Sequence, residues 1–171
     1  PGSIIDKEAE KRATSVYLVD RTIPMLPERL CNYICSLRPD EDKLAFSCIF
    51  ELDDEAHIKR SHIARTVIRS DRRFAYEDAQ EIIEGAEGDY KEEILTLNDL
   101  AQKLRQRRFE NGSISFDRQE VRFEIDEEGR PLSVYFKVAK EANMLIEEFM
   151  LLANCTVAEA VGKTTTGKKG K

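Results

Sequence analysis

Apolar and polar positions follow different rhythms along this chain, and each rhythm predicts a different element. Over residues 91–108, Ile94, Leu97, Leu100, Ala101 and Leu104 recur at three- and four-residue spacing with charges opposite, the pattern of an amphipathic helix. Residues 75–84 repeat it with Ala79, Ile82 and Ile83, and Gly85 and Gly88 end that helix. Alternation closer to period two predicts strands at 44–52 and 57–68, with Asp53-Asp54-Glu55 turning the chain between them into a hairpin. A second hairpin pairs 121–125 with 132–138 around a turn at 126–131. Residues 142–161 are so strongly apolar that they predict a long, buried final helix.

Toward the amino end the signals are shorter. Residues 5–13 predict a charged helix with Asp6 near its start, and 15–19 predict a strand of β-branched and aromatic residues. Thr22-Ile23-Pro24-Met25-Leu26-Pro27 is excluded from helix, because each proline pushes its predecessor out of the α region. Pro27 is suited to open a helix over 28–36. No repeat and no interdomain linker is found. The expected class is therefore α+β, antiparallel hairpins packed with helices. One unit is expected over residues 1–162, followed by a basic and mobile tail at 163–171.

The chain has 171 residues, 41% of them apolar and 35% charged, enough apolar material for a core and too much for a disordered chain. Its longest apolar run, Phe149 through Ala153, is far short of a membrane span, and no charged-then-apolar leader opens the chain, so a cytoplasmic setting without membrane association is expected. The start at Pro1 without Met reads as a processed product or an excised segment. Cys31, Cys35, Cys48 and Cys155 read as reduced, small core residues; Cys31 with Cys35, or His57 with His62, makes a poor zinc site.

A net charge of −6 argues at first against nucleic acid, but the charge is unevenly spread. Between Ala56 and Tyr76, six basic residues (Lys59, Arg60, Arg65, Arg69, Arg72, Arg73) face one acid, Asp71, giving +5 and leaving −11 elsewhere. A basic stripe that ends in Phe74 and Tyr76 has the composition that follows a phosphate backbone and stacks bases. A second cluster, Lys103, Arg105, Arg107 and Arg108, precedes Phe109 and Phe116. The competing reading of both clusters is a solvated face balanced by nearby glutamates. Glu147 and Glu148 sit within the most apolar helix, where an ionised side chain needs a partner, an arginine or a ligand. No glycine-rich phosphate loop, nucleophile elbow or zincin spacing is present.

Several segments, in order, resemble the catalytic domain of the ribonuclease R and ribonuclease II family. They are Ser15-Val-Tyr17-Leu-Val-Asp-Arg-Thr-Ile-Pro24-Met-Leu-Pro27-Glu-Arg-Leu with Cys35-Ser-Leu37, then Ser70-Asp-Arg-Arg-Phe-Ala-Tyr76-Glu-Asp-Ala, Asn111-Gly-Ser-Ile-Ser-Phe116, and Leu145-Ile-Glu147-Glu148-Phe-Met150-Leu-Leu-Ala-Asn154. The resemblance covers residues 3–161, and the bacterial ribonuclease R branch is the better fit. It implies a processive 3′-to-5′ exoribonuclease that hydrolyses single-stranded RNA to nucleoside 5′-monophosphates by two-metal Mg²⁺ chemistry.

The resemblance also implies which residues hold the RNA. Tyr17 matches the aromatic that stacks on the 3′-terminal base, and Phe116 the aromatic closing the far side of the stack. Tyr76 and Glu147 match the pair that touches ribose hydroxyls, which makes Glu148 the structural acid of the two. The family's aspartate cluster has no match here, since Asp6 is the sole aspartate before Tyr17. The chain is thus expected to be an interior piece of the domain that carries the RNA clamp, without catalytic residues and without bound Mg²⁺. Its uncovered apolar helix face gives an expectation of a homodimer. Two other readings stay open: a non-catalytic RNA-binding module, and a protein-interaction module, the latter favoured if the basic stripe is paired internally.

Overall fold

The computed structural model describes residues 1–114, 120–126, 128 and 130–166. The described elements are four α-helices, a π-helical segment and three two-stranded antiparallel ribbons, the α+β class expected. The chain divides into two compact units, Pro1–Leu44 with Val67–Arg73 and Asp117–Val138, and Ala45–Thr66 with Phe74–Phe116 and Ala139–Lys171.

The first unit opens on helix α1, Ile4–Arg12, capped where Ser3 Oγ accepts the amide of Asp6 at 3.2 Å. Strands β1 (Val16–Tyr17) and β2 (Thr22–Ile23) pair antiparallel, with Tyr17 opposite Thr22, so the strand is shorter than the 15–19 expected from its β-branched and aromatic residues. The proline-rich stretch that follows is fastened back by its neighbours. Ser15 Oγ accepts the Met25 amide at 3.0 Å, and Arg12 Nη1 donates to Pro24 O at 3.1 Å.

Pro27 does begin a helical segment, but of a different kind. Arg29–Ile34 winds as a π-helix, with the Cys35 amide reaching Leu30 O at 2.9 Å, five residues back. In the same unit β5 (Glu120–Ile125) and β6 (Pro131–Lys137) form a ribbon in the register Val121 to Phe136 and Phe123 to Val134, with an irregularity at Glu124/Ile125. Asp126 Oδ1 accepts the amides of Glu128 and Arg130, which sets the turn.

Strands β3 (Asp42–Leu52) and β4 (Ile58–Arg69) form the central hairpin, whose body belongs to the second unit. The core lies in that unit, where α2 (Tyr76–Ile83), α3 (Lys91–Glu110) and α4 (Glu141–Thr166) pack together and bury Ile82, Ile94, Ala101, Ala142 and Leu145. Buried Gln80 on α2 accepts the Ala142 amide at 3.0 Å and so satisfies the start of α4, while Asn143 Oδ1 accepts the Lys140 amide.

Glycine ends α2 for two separate reasons. Gly85 takes φ +111°, a backbone that other residues resist, whereas a Cβ on Gly88 would sit 2.6 Å from Ile82 Cδ1. Two expectations are corrected. Helix α4 is not buried throughout: Ala142, Leu145 and Glu148 face inward, but Ile146, Met150, Val157 and Val161 are exposed. None of the four cysteines is a core residue, since Cys35 and Cys155 are exposed and Cys31 and Cys48 half-buried; all four are free thiols.

Candidate nucleic-acid interface

The basic window falls mainly on β4, and five of its six cations divide into two sets. Arg60 Nε lies 3.2 Å from Glu51 Oε2, and Arg69 Nη1 is 4.0 Å from Asp42 Oδ1. Lys59, Arg65 and Arg73 form no hydrogen bond or ion pair with the described residues. Ser47 Oγ and Thr66 Oγ1 meet at 2.6 Å on the half-covered face of the hairpin. Phe46 and Arg65, one position away on each strand, therefore point from the opposite, exposed face. The stripe is only partly neutralised from within, so a polyanion remains a candidate for the rest of it.

The second basic cluster is committed to the fold. Lys103 Nζ donates to Asp99 Oδ2 at 2.7 Å and to Asp54 O at 2.6 Å, and the bond to Asp99 raises the lysine pKa above its ordinary value. Arg107 donates through Nη2 to Glu55 O at 2.5 Å and through Nη1 to Ala56 O at 3.1 Å. The guanidinium carbons of Arg105 and Arg108 stand 5.5 and 5.0 Å from the Phe109 ring centroid. This cluster holds the hairpin turn and the end of α3, and is not a free phosphate surface. Phe74, one of the stripe's two aromatics, packs edge-on against Tyr90 at 6.4 Å.

Tyr17 stands in the first unit on a two-residue strand, and it is 80% exposed. An aromatic side chain this exposed is accessible to a stacking partner. Tyr76 is the first residue of α2 and remains partly open to solvent. Phe116 lies outside the described residues.

The adjacent glutamates Glu147 and Glu148 of α4 behave oppositely. Glu148 is 4% exposed and accepts Arg108 Nη2 at 2.5 Å and Nε at 3.1 and 3.2 Å. Glu147, its side chain 52% exposed, touches the same Nη2 at 3.4 Å. The guanidinium completes its set by donating from Nη1 to Ser113 Oγ at 3.1 Å. The hydrogen bond to Glu148 raises the Arg108 pKa further, with both carboxylates adding to it, so the guanidinium is permanently charged. A buried carboxylate stripped of such a partner costs about 3–5 kcal/mol, which explains why Glu148 is tolerated in an apolar helix. The sequence leaves the partner of this acid open between an arginine and a ligand. Arg108 is the answer, and its signal was a basic residue at the end of the helix that precedes the Asn111-Gly112 break.

Among the described residues no three His, Cys, Asp or Glu side chains converge. No helix among them is long and apolar enough to cross a membrane.

The aromatic, cationic and carboxylate features sit on a scaffold with known counterparts. The family model for the RNB domain matches residues 1–167, and the chain belongs to that family. It is 42% identical to DIS3-like exonuclease 2 of Schizosaccharomyces pombe over 95% of this chain and 19% of that protein. It is 40% identical to the human exosome complex exonuclease RRP44 over 94% of this chain and 17% of that one. In structure it resembles Mycoplasma genitalium RNase R in complex with ribose-methylated single-stranded RNA, with a TM-score of 0.89 at 29% identity over 96% of this chain and 27% of that chain. The chain thus spans about a fifth of the length of these curated relatives. Both eukaryotic proteins are more alike in sequence than the mycoplasma enzyme, so these identities do not favour the bacterial branch.

Proposed function

We propose that the polypeptide containing this chain is a 3′-to-5′ exoribonuclease that degrades single-stranded RNA processively to nucleoside 5′-monophosphates with Mg²⁺. In this reading the present residues grip the strand, and the metal ligands come from residues beyond these 171. The observation that carries it is the RNB-family match over residues 1–167. The names of the relatives, both exonucleases, support the activity, and the RNA bound to the RNase R neighbour supports the substrate.

Each proposed contact follows from the chemistry of its side chain. Tyr17 stacks its exposed ring on a terminal base, an interaction worth about 1–3 kcal/mol that is indifferent to base identity. Phe116 is assigned the opposing stack by the family resemblance. Tyr76 and Glu147 take ribose hydroxyls, the groups that distinguish RNA from DNA. Lys59 and Arg65, free of acidic partners among the described residues, attract the phosphate backbone. Four free thiols suit a reducing compartment such as the cytoplasm.

The test is digestion of a 5′-labelled single-stranded RNA by the full polypeptide with Mg²⁺. The expected result is progressive shortening from the 3′ end with release of monophosphates. Binding without shortening would favour the non-catalytic RNA-binding reading and overturn this one.

A further inference from the structure

Arg108 occupies an unusual position among the charged side chains of the second unit, because one planar group meets three side chains on two separate parts of the chain. It joins Glu148 in the core of α4, Glu147 at the exposed side of the same helix, and Ser113 in the turn after α3. The bonds differ in strength. The fork on Glu148 is short and buried, while the Glu147 contact is longer and lies at the surface. Glu147 Oε2 accepts nothing from the described residues, so one oxygen of that carboxylate is held near a cation yet remains open to a ligand hydroxyl.

We propose that Arg108 is the positioning residue of the RNA grip: anchored by buried Glu148, its guanidinium sets the carboxylate of Glu147 for a ribose 2′-hydroxyl and ties down the Ser113 turn, three residues before Phe116. This rests on the ribose role proposed above for Glu147. The charge balance makes chemical sense. One cation between two carboxylates leaves a single negative charge, enough to accept a hydroxyl proton in a hydrogen bond. An isolated Glu147 would repel the adjoining phosphates more strongly. A lysine cannot substitute, because an ammonium ion lacks the planar fork that satisfies Glu148 and still faces two other groups.

The test measures binding of a single-stranded RNA and its 2′-deoxy counterpart to the full polypeptide without divalent metal, so that no strand is cut. Glu147→Gln should lower the preference for RNA over DNA about tenfold, the worth of one charge-assisted hydrogen bond. Arg108→Lys should lower it equally, and the double variant no further. A purely structural Arg108 would weaken both strands alike and leave the preference intact, which overturns the inference. If Glu147→Gln itself leaves the preference unchanged, the ribose role of Glu147 fails first, and this inference with it. Should Arg108→Lys be unfolded by thermal melting, Ser113→Ala cuts one anchor without uncovering the buried carboxylate. It should lower the preference about threefold, and an unchanged preference there overturns the proposal.

Discussion

Arg108 Nη2 lies 2.5 Å from Oε1 of Glu148, so the most deeply buried acid of α4 is neutralised from the end of α3, forty residues earlier. Removing the cation by Arg108→Ala leaves the carboxylate buried and alone. The expected loss is about 3–5 kcal/mol of folding stability, read as a lower midpoint in urea denaturation. A loss below about 1 kcal/mol would mean that water or another cation reaches Glu148.

Gly88→Ala tests the packing behind the α2 terminus. The new methyl would fall within 2.6 Å of Ile82 Cδ1 and 2.8 Å of Cγ1, and Ile82 is a core residue with little room to shift. Overpacking of this kind costs about 1–3 kcal/mol. Urea denaturation of the variant checks it, and unaltered stability would show that Ile82 has a second accommodated rotamer.

How far the chain was legible without coordinates follows from which forces decide each element. Helix α3 and the two long hairpins rest on local periodicity and turn chemistry, and both are written in consecutive residues. The π-helical turn at Arg29–Ile34 is not, because Pro27 announces a helix start without saying how many residues each turn will hold. Helix α4 misled because hydrophobicity measures what could be buried, whereas Ile146 and Met150 have no covering element among the described residues. For the candidate site, the sequence offers residues that the family resemblance implies and a basic window read from charge. The division into committed and open cations is not legible there, since the carbonyls that Arg107 grips lie some fifty residues away.

That division gives a salt test. In single-strand binding by the full polypeptide without metal, Arg65→Ala should reduce the slope of log affinity against log salt by about 0.7, the contribution of one phosphate contact. Arg107→Ala should leave the slope unchanged while lowering thermal stability, because its charge is used on the carbonyls of Glu55 and Ala56. Equal slopes for both variants and the parent would remove Arg65 from the interface.

Tyr17→Ala should lengthen the terminal oligonucleotide left by the full polypeptide while cleavage continues. The ring grips the last stacked base in the proposed arrangement but takes no part in hydrolysis. Gel analysis of 5′-labelled RNA reports it directly. An identical end product would exclude Tyr17 from that role.

Asp53 connects stability to pH. Its Oδ1 accepts the His57 amide at 2.8 Å and the Glu55 amide at 3.0 Å, and the His57 bond leads in holding the carboxyl below its ordinary value of 3.8. A native pKa below the unfolded one means that the stabilisation is complete above the unfolded value and disappears as pH falls through the native one. Asp53→Asn should therefore melt lower than the parent at pH 7, and the two melting curves should converge at the acid end of a titration down to pH 3. A constant difference across that range would show that the charge is irrelevant to the turn.

The grip of α3 on the β3–β4 tip also orders events in time. Lys103 and Arg107 hold the carbonyls of three successive residues, Asp54, Glu55 and Ala56, and each bond closes a loop of about fifty residues. Local strand pairing can begin within microseconds, but the tip cannot settle until α3 has formed and returned to it. The hairpin is then among the last features to become rigid, and refolding monitored at that turn should lag behind the formation of helix α3 itself.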